Sequence, residues 1–369
     1  MKKTLIALAA LAAAGTASAQ SSVTLFGVLD AGLSHYSVSG GPSQTAQSTS
    51  GSTASRFGFR GTEDLGGGLS ANFWLESAVS VDDGGPAGLN FQRRSTVSLA
   101  GAFGEVRLGR DLTPTFYNDQ LFSPFGVDGV GGNLISQARN SGSPPFFAPA
   151  ATVGTTPFAV NDPNYARSSN SIGYFLPGNL GGFYGQAMYS FDEQTSPALG
   201  SQGRYAGFRV GYANGPVDAA LAHGKTTGAP TPTAAKPDVA STNIGASYNL
   251  DIVKLMGEYS RTKVTGDASV RTIKGYLLGL TAPVGAGQVR ASYARATADI
   301  AGVGADPRSS KIAVGYLHNL SKRTALYASY ARLSNANGAQ LALGGLKTTN
   351  PTLLNRSSTG YDFGLRHSF

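Results

Sequence analysis

The sequence predicts an all-β fold, an antiparallel barrel of about sixteen strands that closes on itself and spans a membrane. Three observations predict it. The chain has 50 glycines among 369 residues, only 14% charged residues and no cysteine. Most of it falls into short stretches in which apolar residues alternate with polar residues or glycine, the period of a strand with two unlike faces. The connections between those stretches trade tight turns for long loops, as in barrels that keep short turns on the periplasmic side and long loops outside.

The opening residues stand apart from that rhythm. Lys2 and Lys3 precede an apolar run over residues 5–14, about ten residues and too short for a helical span. Ala17-Ser18-Ala19 matches the small-x-small pattern of a cleavage site. Residues 1–19 are therefore expected to be a signal peptide, with residues 20–369 forming a single barrel domain. Small exported domains often rest on disulfides; this longer chain must rest on backbone pairing and packing. Past the leader no run approaches about 18 consecutive apolar residues, so no helical span is expected. The formal net charge is +8. The basic residues are scattered singly along the strands, which argues against nucleic acid and leaves anionic lipid or anionic solutes as partners.

The elements follow in order. Residues 23–35 set Val23, Leu25, Leu29 and Leu33 against Thr24, Asp30 and Ser34. Residues 36–54 read as a Ser/Gly/Thr loop. Residues 55–64 put Phe57 and Phe59 opposite Arg56, Gly58 and Arg60, and Gly66-Gly67-Gly68 turns the chain. Residues 69–81 set Leu69, Ala71, Phe73 and Leu75 against Ser70, Asn72, Trp74 and Glu76. After a polar loop, residues 91–100 and 105–110 are strands with Val97 and Leu99, then Val106 and Leu108, on their apolar faces. Beyond residue 165 the rhythm gives strands near 167–176, 183–191, 203–213, 217–225, 241–250, 253–263, 270–281, 288–297, 309–319, 325–333 and 358–369. A ring of this size encloses an aqueous bore that side chains cannot fill. The apolar faces must then meet another apolar phase, and lipid supplies it. Aromatics near strand ends (Phe26, Tyr174, Tyr189, Phe191, Tyr212, Tyr248, Tyr259, Tyr293, Tyr316, Tyr330, Tyr361) suit an interfacial girdle.

Residues 111–165 break the pattern. This stretch is rich in Pro, Gly and Phe and shows no sustained period of two or of 3.6. A structureless insert of such length is uncommon and usually functional. It is expected to pack inside the ring.

The last residues, YDFGLRHSF, place Tyr361, Phe363, Leu365, His367 and Phe369 on one face and end on an aromatic. With SSVTLFGVLDAGL at the mature N-terminus, SRFGFRGTEDLGGGLSANF, FQRRSTVSLAGAFGEVRLGR, SPFG in the insert and ARSSNSIGY after it, the chain resembles the general porins of Gram-negative bacteria, the trimeric sixteen-stranded kind found in beta-proteobacteria. The resemblance covers essentially the whole chain. It implies an outer-membrane diffusion channel, not an enzyme, and a homotrimer in contact with outer-membrane lipid and lipopolysaccharide. It also implies a third loop folded into the lumen, and a terminal strand (Tyr361, Phe369) of the kind read by the barrel-assembly machinery.

The chemistry of such a channel is the radius and charge of its constriction. Strand parity sends Arg56, Arg60 and Arg94 inward and Arg93 to lipid or the interface. In the family a ladder of arginines faces acids of the third loop. The resemblance carries that role to Arg56, to Arg94 or Arg93, and to Arg167, with Arg60 and Arg107 as second choices. Asp119 and Asp128 are the loop acids; where the family often has Asp before its Pro-Phe-Gly, this chain has Ser123. Arginine suits the wall because it stays charged and can fork onto a carboxylate or phosphate. Small anions and hydrophilic solutes are the expected cargo, with mild anion selectivity. The alternatives are a substrate-specific channel for phosphate, organic anions or sugars, and an outer-membrane barrel enzyme, for which no nucleophile motif is present. No cofactor or metal is expected: His35, His223, His318 and His367 lack ligand spacing, and Asp82-Asp83 reads as a solvated loop.

Overall fold

In the computed structural model the strands form a closed ring. The structure describes residues 22–85, 89–140, 162–193, 201–228, 238–265, 271–300, 304–343 and 354–369. The expected signal peptide lies outside them, as do residues 141–161 of the insert.

The strands are β1 (Ser22–Val38), β2 (Ser43–Thr49), β3 (Arg56–Gly66), β4 (Leu69–Ala78), β5 (Arg94–Gly101), β6 (Gly104–Leu112), β7 (Arg167–Phe175), β8 (Phe183–Ser190) and β9 (Tyr205–Asn214). They continue with β10 (Val217–Thr227), β11 (Asp238–Asn249), β12 (Lys254–Thr265), β13 (Arg271–Val284), β14 (Gly287–Ile300), β15 (Arg308–Asn319), β16 (Thr324–Ala336) and β17 (Ser357–Ser368). Neighbours pair antiparallel, and β17 returns to pair along β1 from Val28 opposite Ser368 to Val38 opposite Ser358. Closure of this kind joins the two ends of the sheet.

On its other edge β1 pairs first with β3, over Ser22 to Val28, and then with β2, over Ala31 to Ser37. β2 and β3 thus share one stave, and the barrel has sixteen. The expected loop over residues 36–54 is corrected here. Residues 43–49 (SQTAQST) carry no apolar face to mark them, but they supply the backbone partners that the upper half of β1 needs. Between β2 and β3 the chain turns inward: the Asp30 carboxylate accepts hydrogen bonds from the Ser52 and Thr53 amides at 2.9 and 2.7 Å and from the Tyr327 hydroxyl at 2.6 Å.

One parity of each strand carries the exposed apolar residues: Val23, Leu25 and Leu33 on β1, Val97 and Leu99 on β5, Ile172 and Tyr174 on β7, Tyr361, Phe363 and Leu365 on β17. Leu25 is 55% exposed and Phe363 56%. A continuous belt of this kind costs free energy in water and none in hydrocarbon, and the ring satisfies its backbone internally as a membrane requires. Phe26, expected in the outer girdle, is the exception. It has the parity of Thr24 and lies against Trp74 on the opposite face, ring centroids 4.8 Å apart.

The insert occupies the face opposite the lipid belt. It is not structureless: it contains α1 (Pro114–Leu121) and α2 (Leu134–Asn140). Pro114 opens α1, where its missing N–H costs nothing. The Asn133 side-chain oxygen caps α2 by accepting from the Ile135 amide at 2.9 Å. Phe125, Val130, Leu134, Ile135 and Ala138 form one buried cluster with Ile273, Leu277, Ala294, Ala296, Ala298, Ala313, Ala331 and Leu333 of β13 to β16. On these strands both faces are apolar, because one meets lipid and the other meets the insert. Glycine makes room for that approach. A Cβ at Gly245 would stand 2.0 Å from the Phe122 ring, one at Gly279 2.4 Å from Pro124, and one at Gly275 2.8 Å from Ile135.

Candidate functional site

Two faces of α1 organise the site. Asn118 and Asp119 point to one wall of the barrel. The Asn118 side chain bonds Asn243 of β11 and accepts from Arg209 of β9 at 2.6 Å. Asp119, fully buried, pairs with Arg139 of α2 at 3.1 Å and accepts from the Tyr165 hydroxyl at 3.0 Å and the Asn243 amide at 2.8 Å. Asn133 bridges the Asp119 carbonyl to the Glu258 carboxyl of β12, and the Lys311 amine donates to the Gly132 carbonyl. These bonds fasten the insert to β9 through β15. Asp119 was expected to balance the wall arginines. It does not reach them, because its partner Arg139 arrives from the insert itself.

The other face of α1 presents Tyr117 and Gln120 to a bore whose far wall is β3 to β7. Arg56, Arg60, Arg93, Arg94 and Arg167 line one cavity of about 400 Å³ there, with Phe26, Trp74, Glu76, Asp111, Tyr117 and Gln120. A second, about 390 Å³, continues along the bore between Arg60, Trp74, Arg94, Thr96, Ser98, Glu105 and Arg107. Parity explains Arg56, Arg60, Arg94 and Arg107, which share the inward face with Trp74 and Glu76 across the ladders.

Two arginines escape that rule. Arg93, assigned by parity to the lipid side, points inward and donates to Glu76 at 2.7 Å. It precedes the first residue of β5, so the alternation does not bind it. Arg167 opens β7 beside an irregularity in the β6–β7 register, where Asn170 has φ 54°, and its Nε donates to the Arg93 carbonyl at 2.7 Å. The structure thus gathers Arg56, Arg60, Arg93, Arg94, Arg107 and Arg167 along one bore.

The acids among them were absent from the sequence-based set. Glu76 sits between Arg93 at 2.7 Å and Arg56 at 3.8 Å. Asp111 takes Arg107 at 2.5 Å and Arg94 at 3.8 Å, and Glu105 takes Arg107 at 2.8 Å. Parity could have found Glu76, two residues from Trp74 on one face. Asp111 was read as the start of the insert but belongs to β6. Asp128 is placed near its expected partners: it accepts from the Ala54 amide at 3.1 Å and feels Arg93 and Arg56. Burial pushes its carboxyl above the ordinary value despite those favourable neighbours. Burial and then the nearby Asp111 charge push the Tyr117 phenol up, so it faces the bore as a neutral hydroxyl. Around the ring, Arg209 lies 4.5 Å from the Tyr184 ring, and Arg290 and Arg366 share the inward parity of β14 and β17. Among the described residues no cluster of three or more His, Asp or Glu could hold a metal ion.

A closed sixteen-stave barrel with an apolar outer belt and a bore lined by guanidinium groups defines a membrane channel built from strands. The sequence profile of the Gram-negative porins matches residues 4–338. The chain is similar to outer membrane porin protein 32 of Delftia acidovorans, at 43% identity over 381 residues covering 100% of both chains. It is also similar to an outer membrane porin protein of Bordetella pertussis, at 30% identity over 90% of this chain and 94% of that one. Among solved structures it resembles the anion-selective porin from Comamonas acidovorans, with a TM-score of 0.80 and 39% identity over 95% of this chain and 100% of that chain. OmpT of Vibrio cholerae, at TM-score 0.67 and 14% identity over 96% of this chain and 100% of that one, shares the fold. The chain belongs to the Gram-negative porin family. It is an outer-membrane diffusion channel for small hydrophilic solutes, not an enzyme.

Proposed function

We propose that this porin prefers anions and that the arginine wall facing α1 is its constriction. One observation carries the reading: six guanidinium groups (Arg56, Arg60, Arg93, Arg94, Arg107, Arg167) line the two cavities against three carboxylates (Glu76, Glu105, Asp111). A fixed positive excess in a narrow bore raises the local concentration of anions and repels cations. Similarity to a porin described as anion-selective supports the same reading.

The described part of the insert, α1 through α2, narrows the bore by filling its other half. Residues 1–19 are a leader removed on export. The mature protein is a homotrimer assembled by the barrel-assembly machinery, which reads the strand ending at Phe369, and its outer loops meet lipopolysaccharide. A trimer form among structures of similar fold supports the oligomer, and electrophoretic mobility before and after boiling tests it. Selectivity is tested by the reversal potential in planar bilayers under a KCl gradient. A potential toward that of chloride is expected; one toward that of potassium overturns the reading.

A further inference from the structure

Trp74 is the only tryptophan in the chain, and it faces the bore at the junction of both cavities. Its indole ring reaches Phe26 across the inward face of β3, where Gly58 provides the space. A Cβ at Gly58 would stand 2.2 Å from the Leu75 carbonyl oxygen and 2.9 Å from the Phe26 ring. The two rings meet at 4.8 Å and 58°. Guanidinium groups flank them: Arg94 lies 4.5 Å from the Trp74 ring, and Arg60 lies 5.2 Å from Trp74 and 5.4 Å from Phe26. The indole N–H donates to Glu76 at 3.2 Å, which fixes the ring's orientation.

A pore that only needed positive charge would have no use for an aromatic pair at this point. Arg94 has Asp111 at 3.8 Å, but among the described residues Arg60 forms no ion pair and is exposed to the bore. It is therefore a guanidinium held beside π surface with its carboxylate-binding edge unused.

We propose that Trp74, Phe26, Arg60 and Arg94 form a station for planar aromatic anions, the carboxylate taken by Arg60 and Arg94 and the ring by Trp74 and Phe26. The proposal rests on the anion-preferring reading of the bore and adds a substrate class to it. Stacking distinguishes a flat ring from a saturated one of the same size, and offset or edge contacts are directional enough to do so.

The test compares sodium benzoate, cyclohexanecarboxylate and acetate on the reconstituted protein at constant ionic strength. Two signals are read: transient block of the KCl current in planar bilayers, and the emission of the single tryptophan in detergent. Benzoate is expected to act on both at concentrations about five- to tenfold below cyclohexanecarboxylate, with acetate weakest. In the current-block signal, the one that remains once the single tryptophan is replaced, Trp74→Leu should abolish the benzoate–cyclohexanecarboxylate difference and Trp74→Phe should keep most of it. Arg60→Gln should weaken both ring acids together. Equal action of the two ring acids on the unaltered protein overturns the station, as does a difference that survives Trp74→Leu. The reversal potential in the same bilayers separates the two ideas. Potassium preference removes the anion reading itself, whereas chloride preference without benzoate discrimination removes the station alone.

Discussion

Glu76 holds two guanidinium groups and Asp111 holds two more, yet each pairing includes one separation of 3.8 Å. Such loose partners leave Arg56 and Arg94 partly available to passing ions. Replacing both with Gln is predicted to lower the chloride-to-potassium permeability ratio about two- to fivefold, since one charge in a watery, salt-screened bore carries about 1 kcal/mol at most. The reversal potential measures it, and an unchanged value would contradict the assignment. Asp128 gives a pH dependence. Its carboxyl is raised by burial, so the folded channel binds the proton more readily than a free aspartate with its ordinary value of 3.8. Docking of the insert is favoured below that value and weakens as pH rises through the window up to the raised one. The ionised form also subtracts positive potential near Arg56 and Arg93. Anion preference is therefore predicted to climb as pH falls through this window, and Asp128→Asn should flatten the climb. At this scale parity made Arg56, Arg60 and Arg94 legible. Parity did not place Arg93 and Arg167, which the family resemblance alone singled out, because each lies where the alternation lapses, before a strand begins or beside a bulge. Asp119 was misplaced because a charge in a sequence does not say which wall it meets.

At the scale of elements, the insert is a small domain whose core is shared with the barrel. Its helices are 8 and 7 residues long, too short to show a period, although Pro114 after Thr113 marks the start of α1. The sockets that receive it were equally hidden. Gly245, Gly279, Gly315 and Gly360 sit on four different strands, and only the register brings them under Phe122, Pro124, Phe125 and Val130. In the sequence they read as the glycines of any barrel. Gly245→Ala is predicted to destabilise the docked insert by about 1–3 kcal/mol, because the fully buried Phe122 cannot yield. Arg139→Met is predicted to cost more, about 3–5 kcal/mol, since it strands the Asp119 carboxylate without its cation. Thermal unfolding followed by gel mobility orders the two variants; a smaller effect at Arg139 than at Gly245 would contradict the role given to the ion pair.

For the whole molecule, closure is the decisive event. Phe369 donates its amide to the Gly27 carbonyl and accepts from the Gly27 amide, both at 3.1 Å, and its ring lies where a Cβ at Gly27 would be 2.4 Å away. Deleting Phe369 removes the last rung between the first and last strands, and reduced assembly into the outer membrane is the expected outcome. The number of staves, the lipid belt and the closing strand were all legible, because a period of two repeated around a ring leaves few other solutions. β2 was not, since its side chains are polar on both faces. The central claim is that one parity of the barrel strands meets lipid, while the other meets the water of the bore or, on β13 to β16, the insert. The chain has no cysteine, so single cysteines report that directly. Leu25→Cys and Val97→Cys should resist a water-soluble, membrane-impermeant thiol reagent in liposomes. Thr24→Cys and Ala100→Cys, on the opposite parity of the same two strands, should react. The reverse pattern, or equal labelling of the two parities, would contradict the account.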